Sequence, residues 1–564
     1  MPPLGAGQNE RSIIMSMLSP LLALLALSCS STPSQEPQTP KPELDKSHVV
    51  VVQPFILGGE TASDEFARIR IHEKLVDQVY AKAGIDFHFL EPRTYFNVAA
   101  RDGKINLDKI MAASKADGAS RGSGEILNTY FVNAVDGQAG PLGRGGFNMP
   151  ILFIALGAKD DIGVEAFVMA HEAGHCLGLK HSVDDPVVPN DLVNLMGNGP
   201  FLERVGVDGL HASQVGTVQQ SAMVVPRVRC LNLEQARTAM LDESFEPFFS
   251  QLQEREIQAF TQSVLPSFPL SDHRAHAKVI FRAAALGFEA NEERAMLWLT
   301  AGLRQRVAPH YPLLANQPWS FLKFENDLCS GFSHTRGLSI LFSQRVVDHA
   351  VALHEAGDLN AALQSMGSLL IHEQMHVLER CYPKRFAELY ESVFGFVAGK
   401  VAPNSWLVEN QVSNPDALSG DWLIPFQDGA AGNASSDNSS AKKTDPDNDS
   451  PVQLWLPRTI LRPGPGVPRL GADFLNIAVL VEDNGDGYEV VISNTGMPEQ
   501  RQLSEFAPFL DRFPIRTGKD HPNEIAAYLM EQVFLADVLG TDADQDAMPS
   551  MVQKMRDWAR TGLR

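Results

Sequence analysis

The chain has 564 residues, 44% of them apolar, which is more core-forming material than one domain usually holds. Its formal charge of -21 removes any electrostatic basis for binding nucleic acid or an anionic membrane face. Cysteine is sparse, at Cys29, Cys176, Cys230, Cys329 and Cys381. A Cys329–Cys381 bridge is compatible with an exported protein, and Cys176 reads as a small packing residue.

Arg11 precedes "SIIMSMLSPLLALLALSCS", a short positive region and an apolar run of signal-peptide length. The run is too short for a good membrane span. It ends at Cys29 and resembles a bacterial lipoprotein signal, with Cys29 as the lipid acceptor, although Ala26 stands where such signals favour leucine. The alternative is ordinary secretion, with Ala26 and Ser28 before the cut. Residues 1–28 are thus expected to be a signal peptide and residues 29–47 a Pro/Ser-rich tether. The resemblance implies an exported protein held at the cell envelope by a lipid; the alternative implies a soluble secreted or periplasmic one.

Structure is expected to begin at residues 48–57, "HVVVVQPFIL", a β-branched run typical of a buried strand. A helical pattern covers residues 64–84 and ends at Gly84. "IDFHFLE" and "MPILFIALG" read as further strands, the second leading into a helix. "LHASQVGTVQQSAMVV" reads as a helix closing a first domain, residues 48–230. The second domain, residues 231–564, opens with helical patterns, and the strand "GLSILFSQ" comes before its own motif helix. Residues 428–450 are low in apolar residues and read as a flexible insertion. "FLNIAVLVED" and "GYEVVISN" read as two strands joined at "NGDG".

The stretch "VMAHEAGHCLGLKHS" carries the chemistry of the first domain. Residues four apart share one helix face, so His171 and His175 can reach one metal ion. Glu172 lies beside them, placed to take a proton from a water that the metal activates. Gly178 allows a positive φ that turns the chain back and brings His181 as third ligand. A fourth position stays open, as in catalytic zinc sites. This pattern, H-E-x-x-H-x-x-G-x-x-H, resembles the metzincin metallopeptidases at every fixed position. The resemblance covers roughly residues 48–225 and implies zinc, Glu172 as general base and Met196 as the methionine of a turn beneath the metal. Ser182 resembles the matrixin branch, but no matrixin cysteine-switch propeptide is present. It also implies that "GGFNMPILFIA" offers an edge for a substrate strand.

A second stretch, "LLIHEQMHVLER", repeats the pair and base as His372, Glu373 and His376, without the Gly and third His. It is similar to the gluzincin pattern, in which a glutamate from a later helix completes the site. "NEIAA" places Glu524 at the start of a helix behind Pro522 and is the favoured ligand; Glu409, in "LVENQVSNPDA", is the alternative. "HEAGD", residues 354–358, copies the first motif but ends in Asp and reads as a helix end. His334, His349 and His521 read as surface or core residues.

The expected fold class is α+β, with two zincin-like domains, each a twisted, mostly parallel small sheet with an edge strand over a zinc-binding helix. The expected activity is zinc-dependent hydrolysis of peptide or protein substrates, with two zinc ions and Glu172 and Glu373 as bases. One alternative keeps only the first centre catalytic, the second domain being a degenerate zincin for substrate binding or structure. Another is a zinc-stabilised binding protein without turnover.

Overall fold

The structure is a computed structural model and describes residues 47–59, 66–103, 107–117, 120–121, 124–135, 142–155, 162–188, 194–197, 209–418, 420–427, 452–515, 518, 520–540 and 548–564. The expected signal peptide, Cys29, all of the expected tether except Ser47, and the expected insertion at 428–450 lie outside the described residues. The fold is mixed α and β, built on three sheets.

The first sheet holds β1 (His48–Gly58), β2 (Ile85–Phe89), β3 (Arg93–Phe96), β4 (Ile126–Val132), β5 (Gly143–Gly145), β6 (Ile151–Ala155) and β7 (Val225–Pro226). Its main order is β2-β1-β4-β6-β5. β1 pairs in parallel with β2, β3 and β4, and β4 with β6. The edge strand β5 runs antiparallel to β6, with Arg144 opposite Phe153. All seven residues of β4 and five of β6 are buried, as expected for parallel strands covered on both faces. One face, with Val50, Val52, Phe131 and Ile154, packs on the first motif helix, Ile162–Cys176. The other packs Phe55, Tyr130 and Phe153 under residues near Ile110.

The helix expected from residue 64 begins only at Glu73. Phe66–His72 is non-helical, and Arg68, Arg70 and His72 all reach Glu165 on the motif helix. That alternation has a period of two, which suits an extended segment and not a helix.

The second sheet holds β8 (Val228–Cys230), β9 (Ala285–Leu286), β10 (Trp319–Phe324), β11 (His334–Arg336) and β12 (Ser339–Ser343). β8, β10 and β12 are parallel, while β9 and β11 are antiparallel additions. The chain changes sheet at one residue. Arg227 donates its N–H to Ser47, just before β1 of the first sheet, and accepts at its carbonyl from Trp319 of the second. The two halves also share a core: Val49, Val51, Ile126 and Val225 pack in one cluster with Met296, Trp319 and Phe321. The described residues form one compact unit.

A third sheet, unexpected apart from one hairpin, holds β13 (Val397–Gly399), β14 (Asp421–Gln427), β15 (Val452–Leu461), β16 (Phe474–Asp483), β17 (Tyr488–Val490) and β18 (Gln500–Gln502), antiparallel throughout. The expected "NGDG" hairpin is the β16–β17 pair. β14 and β15 pair with Gln427 opposite Val452, so the chain ends flanking the insertion stand side by side.

The second motif helix, Leu359–Cys381, does not follow β12 directly. The helix Gln344–Ala356 intervenes, and Gly357 in the left-handed region ends it. Asp358 then caps the motif helix, accepting from the N–H groups of Asn360 and Ala361. The "HEAGD" stretch is therefore a helix end and a helix start. Cys176, Cys230, Cys329 and Cys381 are all free, so the Cys329–Cys381 bridge does not form. Both of its members are buried, and Cys381 instead takes a hydrogen bond from Gln317.

Candidate metal centres

The first motif helix ends as its glycines require. Gly178 has φ +93°, and a Cβ there would lie 2.5 Å from Asn148 Oδ1. The turn brings His181 back, and the ligand nitrogens of His171, His175 and His181 all lie within 4.8 Å of one another. His171 Nδ1 donates to the carbonyl of Leu195 at 2.7 Å and His175 Nδ1 to that of Leu179 at 2.8 Å. Each Nε2 is thereby left with its lone pair for a metal. Burial lowers His171 to about 4, which keeps it in the neutral, ligating form.

Glu172 Oε2 accepts from the N–H of Gly145 at 2.6 Å. The edge strand is pressed onto the helix here, because a Cβ on Gly145 would lie 2.2 Å from the Glu172 carbonyl oxygen. Burial pushes the Glu172 carboxyl up to about 7, against the opposing effects of the Gly145 N–H and Arg144. Met196 is fully buried beneath the centre. Its carbonyl accepts from the N–H of Ser182 at 2.8 Å, and its sulfur would lie 2.8 Å from a Cβ on Gly174. Cys176 is buried behind the helix with Sγ on the carbonyl of Ile151, a packing role.

The second centre joins two helices. Pro522–Asp537 packs along the second motif helix, close enough at Gly367 that a Cβ there would meet the Phe534 ring at 2.8 Å. Glu524 lies 3.4 Å from His372 Nε2 and 3.5 Å from His376 Nε2. These three form the second group able to hold a metal ion. Glu409 is exposed on the helix Ser405–Asn410 and does not belong to the group. Burial raises Glu524, but His376 and His372 outweigh it and hold the carboxylate at about 2. His376 Nε2 is buried without a hydrogen-bond partner, so the donor set fits a cation that would take its lone pair.

Sequence reasoning missed the residues that hold these ligands. Glu531 Oε1 accepts from His372 Nδ1 at 2.7 Å, and Asn414 donates to Glu524 Oε1 at 2.9 Å. Asn523 lies 3.3 Å from His376 Nδ1. Glu531 stands seven residues after Glu524, two turns along one helix face, and that spacing was the signal available. His349 is at the surface, bonded to Ser365, and His521 caps the Pro522–Asp537 helix.

A cavity of about 890 Å³ opens over the second centre, with His372, Glu373 and Glu524 on its wall. Cys329, Ser330 and Gly331 all have positive φ and carry the chain past the cavity to His334, which is buried, the core alternative of the expectation, and also lies on the cavity wall. Glu373 is buried, with Oε2 unpartnered. No protein-family model and no curated protein matches this chain. Among the described residues, no helix is long and apolar enough to cross a membrane.

Proposed function

We propose that this protein is an exported zinc metallopeptidase with two centres, a metzincin-like one on His171, His175 and His181 and a gluzincin-like one on His372, His376 and Glu524. In this reading Cys29 carries the lipid that holds it at the cell envelope. The observation that carries the reading is the set around Glu172: three histidines converging, and a buried carboxyl at about 7 joined to an edge strand. Zinc bound there would polarise a peptide carbonyl and ease deprotonation of the attacking water. Glu172 takes the water's proton and returns it to the departing amine nitrogen. A carboxyl near 7 suits both directions of that transfer at neutral pH. Among the described residues no strand pairs with the outer edge of β5, which would give an extended peptide backbone partners beside the histidines. In the second centre, Glu373 has the same place relative to its ligands, and the cavity supplies room for a substrate.

One observation favours a second reading, in which only the first centre turns over. Burial, then the nearby Asp416, pushes the Glu373 carboxyl well above the usual carboxylate range, which disfavours the ionised form that a base needs. Metal analysis of the purified protein beside His175→Ala and His376→Ala tests the two-centre reading. Two zinc ions per chain, falling to one in each variant, are expected; a single zinc in the wild type sinks it. Peptide cleavage by Glu172→Ala and Glu373→Ala then assigns the work, and cleavage unchanged in Glu373→Ala selects the second reading.

A further inference from the structure

The cavity over the second centre is rich in acceptors and poor in cations. Its wall includes Glu373, Asp416, Asp520, Glu524 and Glu531, and among the described residues no Lys or Arg lines it. Glu524 belongs to the metal group, Glu531 to His372, and Glu373 is the proposed base, which leaves Asp416 and Asp520. Asp416 accepts at Oδ1 from the N–H and hydroxyl of Thr335, and its Oδ2 takes no hydrogen bond from the described residues. Neither carboxylate has an ion-pair partner among the described residues. Of the arginines whose charge they feel, Arg380 and Arg458 are paired with Glu246 and Asp421, while Arg336, which acts on Asp416, lies over the Phe248 ring and donates to the carbonyl of Pro415.

His334 is an independent observation pointing to the same ligand. It is 3% exposed and lies on the cavity wall. Its Nδ1 lies 3.0 Å from the carbonyl of Phe332 and so carries the proton. Its Nε2 is then a lone-pair acceptor, buried and without a partner. A buried acceptor left unmatched is costly, and a donor-only cation would satisfy it together with the carboxylates. Phe332 and Tyr528 stand on the same wall.

We propose that this cavity selects peptides by a cationic group, an Arg or Lys side chain or a free N-terminal ammonium, received by Asp416, Asp520 and His334. The inference rests on reading the second centre as a peptide site. Calorimetry on His175→Ala/Glu373→Gln protein loaded with zinc, which lacks the first centre and does not turn over at the second, reads it directly. The probes are N-acetylated alanine hexapeptides carrying one central Arg, norleucine or Glu. The Arg peptide is expected to bind about tenfold tighter than the norleucine one, as a charge-assisted hydrogen bond requires, with the Glu peptide weakest. Asp520→Asn in that background should bring Arg and norleucine to near equality, and Asp416→Asn serves if Asp520→Asn does not fold. Equal binding of all three acetylated peptides, with no gain on leaving the norleucine peptide unacetylated, overturns the proposal. A gain from the free amine alone identifies the N-terminal ammonium as the cation. Failure of the Glu172→Ala protein to cleave any peptide, with the Arg preference in binding intact, would count against turnover at the second centre and not against the cavity's selectivity.

Discussion

The two centres repeat one helical device in opposite surroundings. At the first, the ligands are half-buried, and the His181 side chain is 36% exposed beside an open strand edge. At the second, His376 is 1% exposed, and access runs through a cavity. The means of holding the ligands differ too. Backbone carbonyls of Leu195 and Leu179 orient His171 and His175, whereas the side chains of Glu531 and Asn523 meet His372 and His376. A helix followed by a glycine turn can build its centre from its own neighbourhood. A centre completed by a distant helix needs side chains to fix the relation between the two.

The largest effect expected is loss of the base. Glu172→Gln should lower kcat at the first centre by about 10²–10⁴-fold and leave zinc content unchanged. Single-turnover cleavage in a His376→Ala background would measure it, and wild-type rates there would remove Glu172 from the chemistry. Next is the floor of the first centre. Met196→Ala opens a cavity under Gly174 and should cost about 2–5 kcal/mol in chemical denaturation, with the second centre's zinc affinity unmoved. A cost below about 1 kcal/mol would mean the site collapses around the gap.

Glu531→Gln tests the contrast in orientation. It should weaken zinc binding at the second centre by about 10–100-fold in competition with a chelator, and leave the first unaffected. Equal affinities in variant and wild type would reduce Glu531 to a surface contact.

The smallest effect concerns pH. Burial pushes the Glu256 carboxyl up from 4.5 to about 7, while it accepts the N–H of Ser413 beside Asn414. A pKa raised by folding contributes stability that is present below about 4.5 and lost as pH rises through about 7. Melting temperature against pH should therefore fall less steeply between 4.5 and 7 in Glu256→Gln than in the wild type. Parallel profiles would show that this carboxyl does not titrate with folding.

What the sequence made legible was local. The ligand spacing on each motif helix, the Gly178 turn and Glu524 behind Pro522 all lie within one or two helical turns, and the structure brings each set together. Asn414 was not legible as part of a centre, because its partner Glu524 lies 110 residues away along the chain, and Glu531 showed only as a second acid two turns beyond Glu524 on the same helix face. The third sheet escaped for a related reason. Pro425 and Pro457 argue against central strands. Pro425 pairs only with β15, beyond the end of β13, and Pro457 only with β16, beyond the reach of β14. Each proline thus has a neighbour on one side only, where its missing N–H is not required.

The side-by-side ends of β14 and β15 make residues 428–451 a natural splice position. Replacing that stretch by a two-residue turn shortens a closed loop and should stabilise the ladder by about 2 kcal/mol from closure entropy alone. The same point accepts cargo: a fluorophore or epitope carried there would report where the protein resides without passing through either centre.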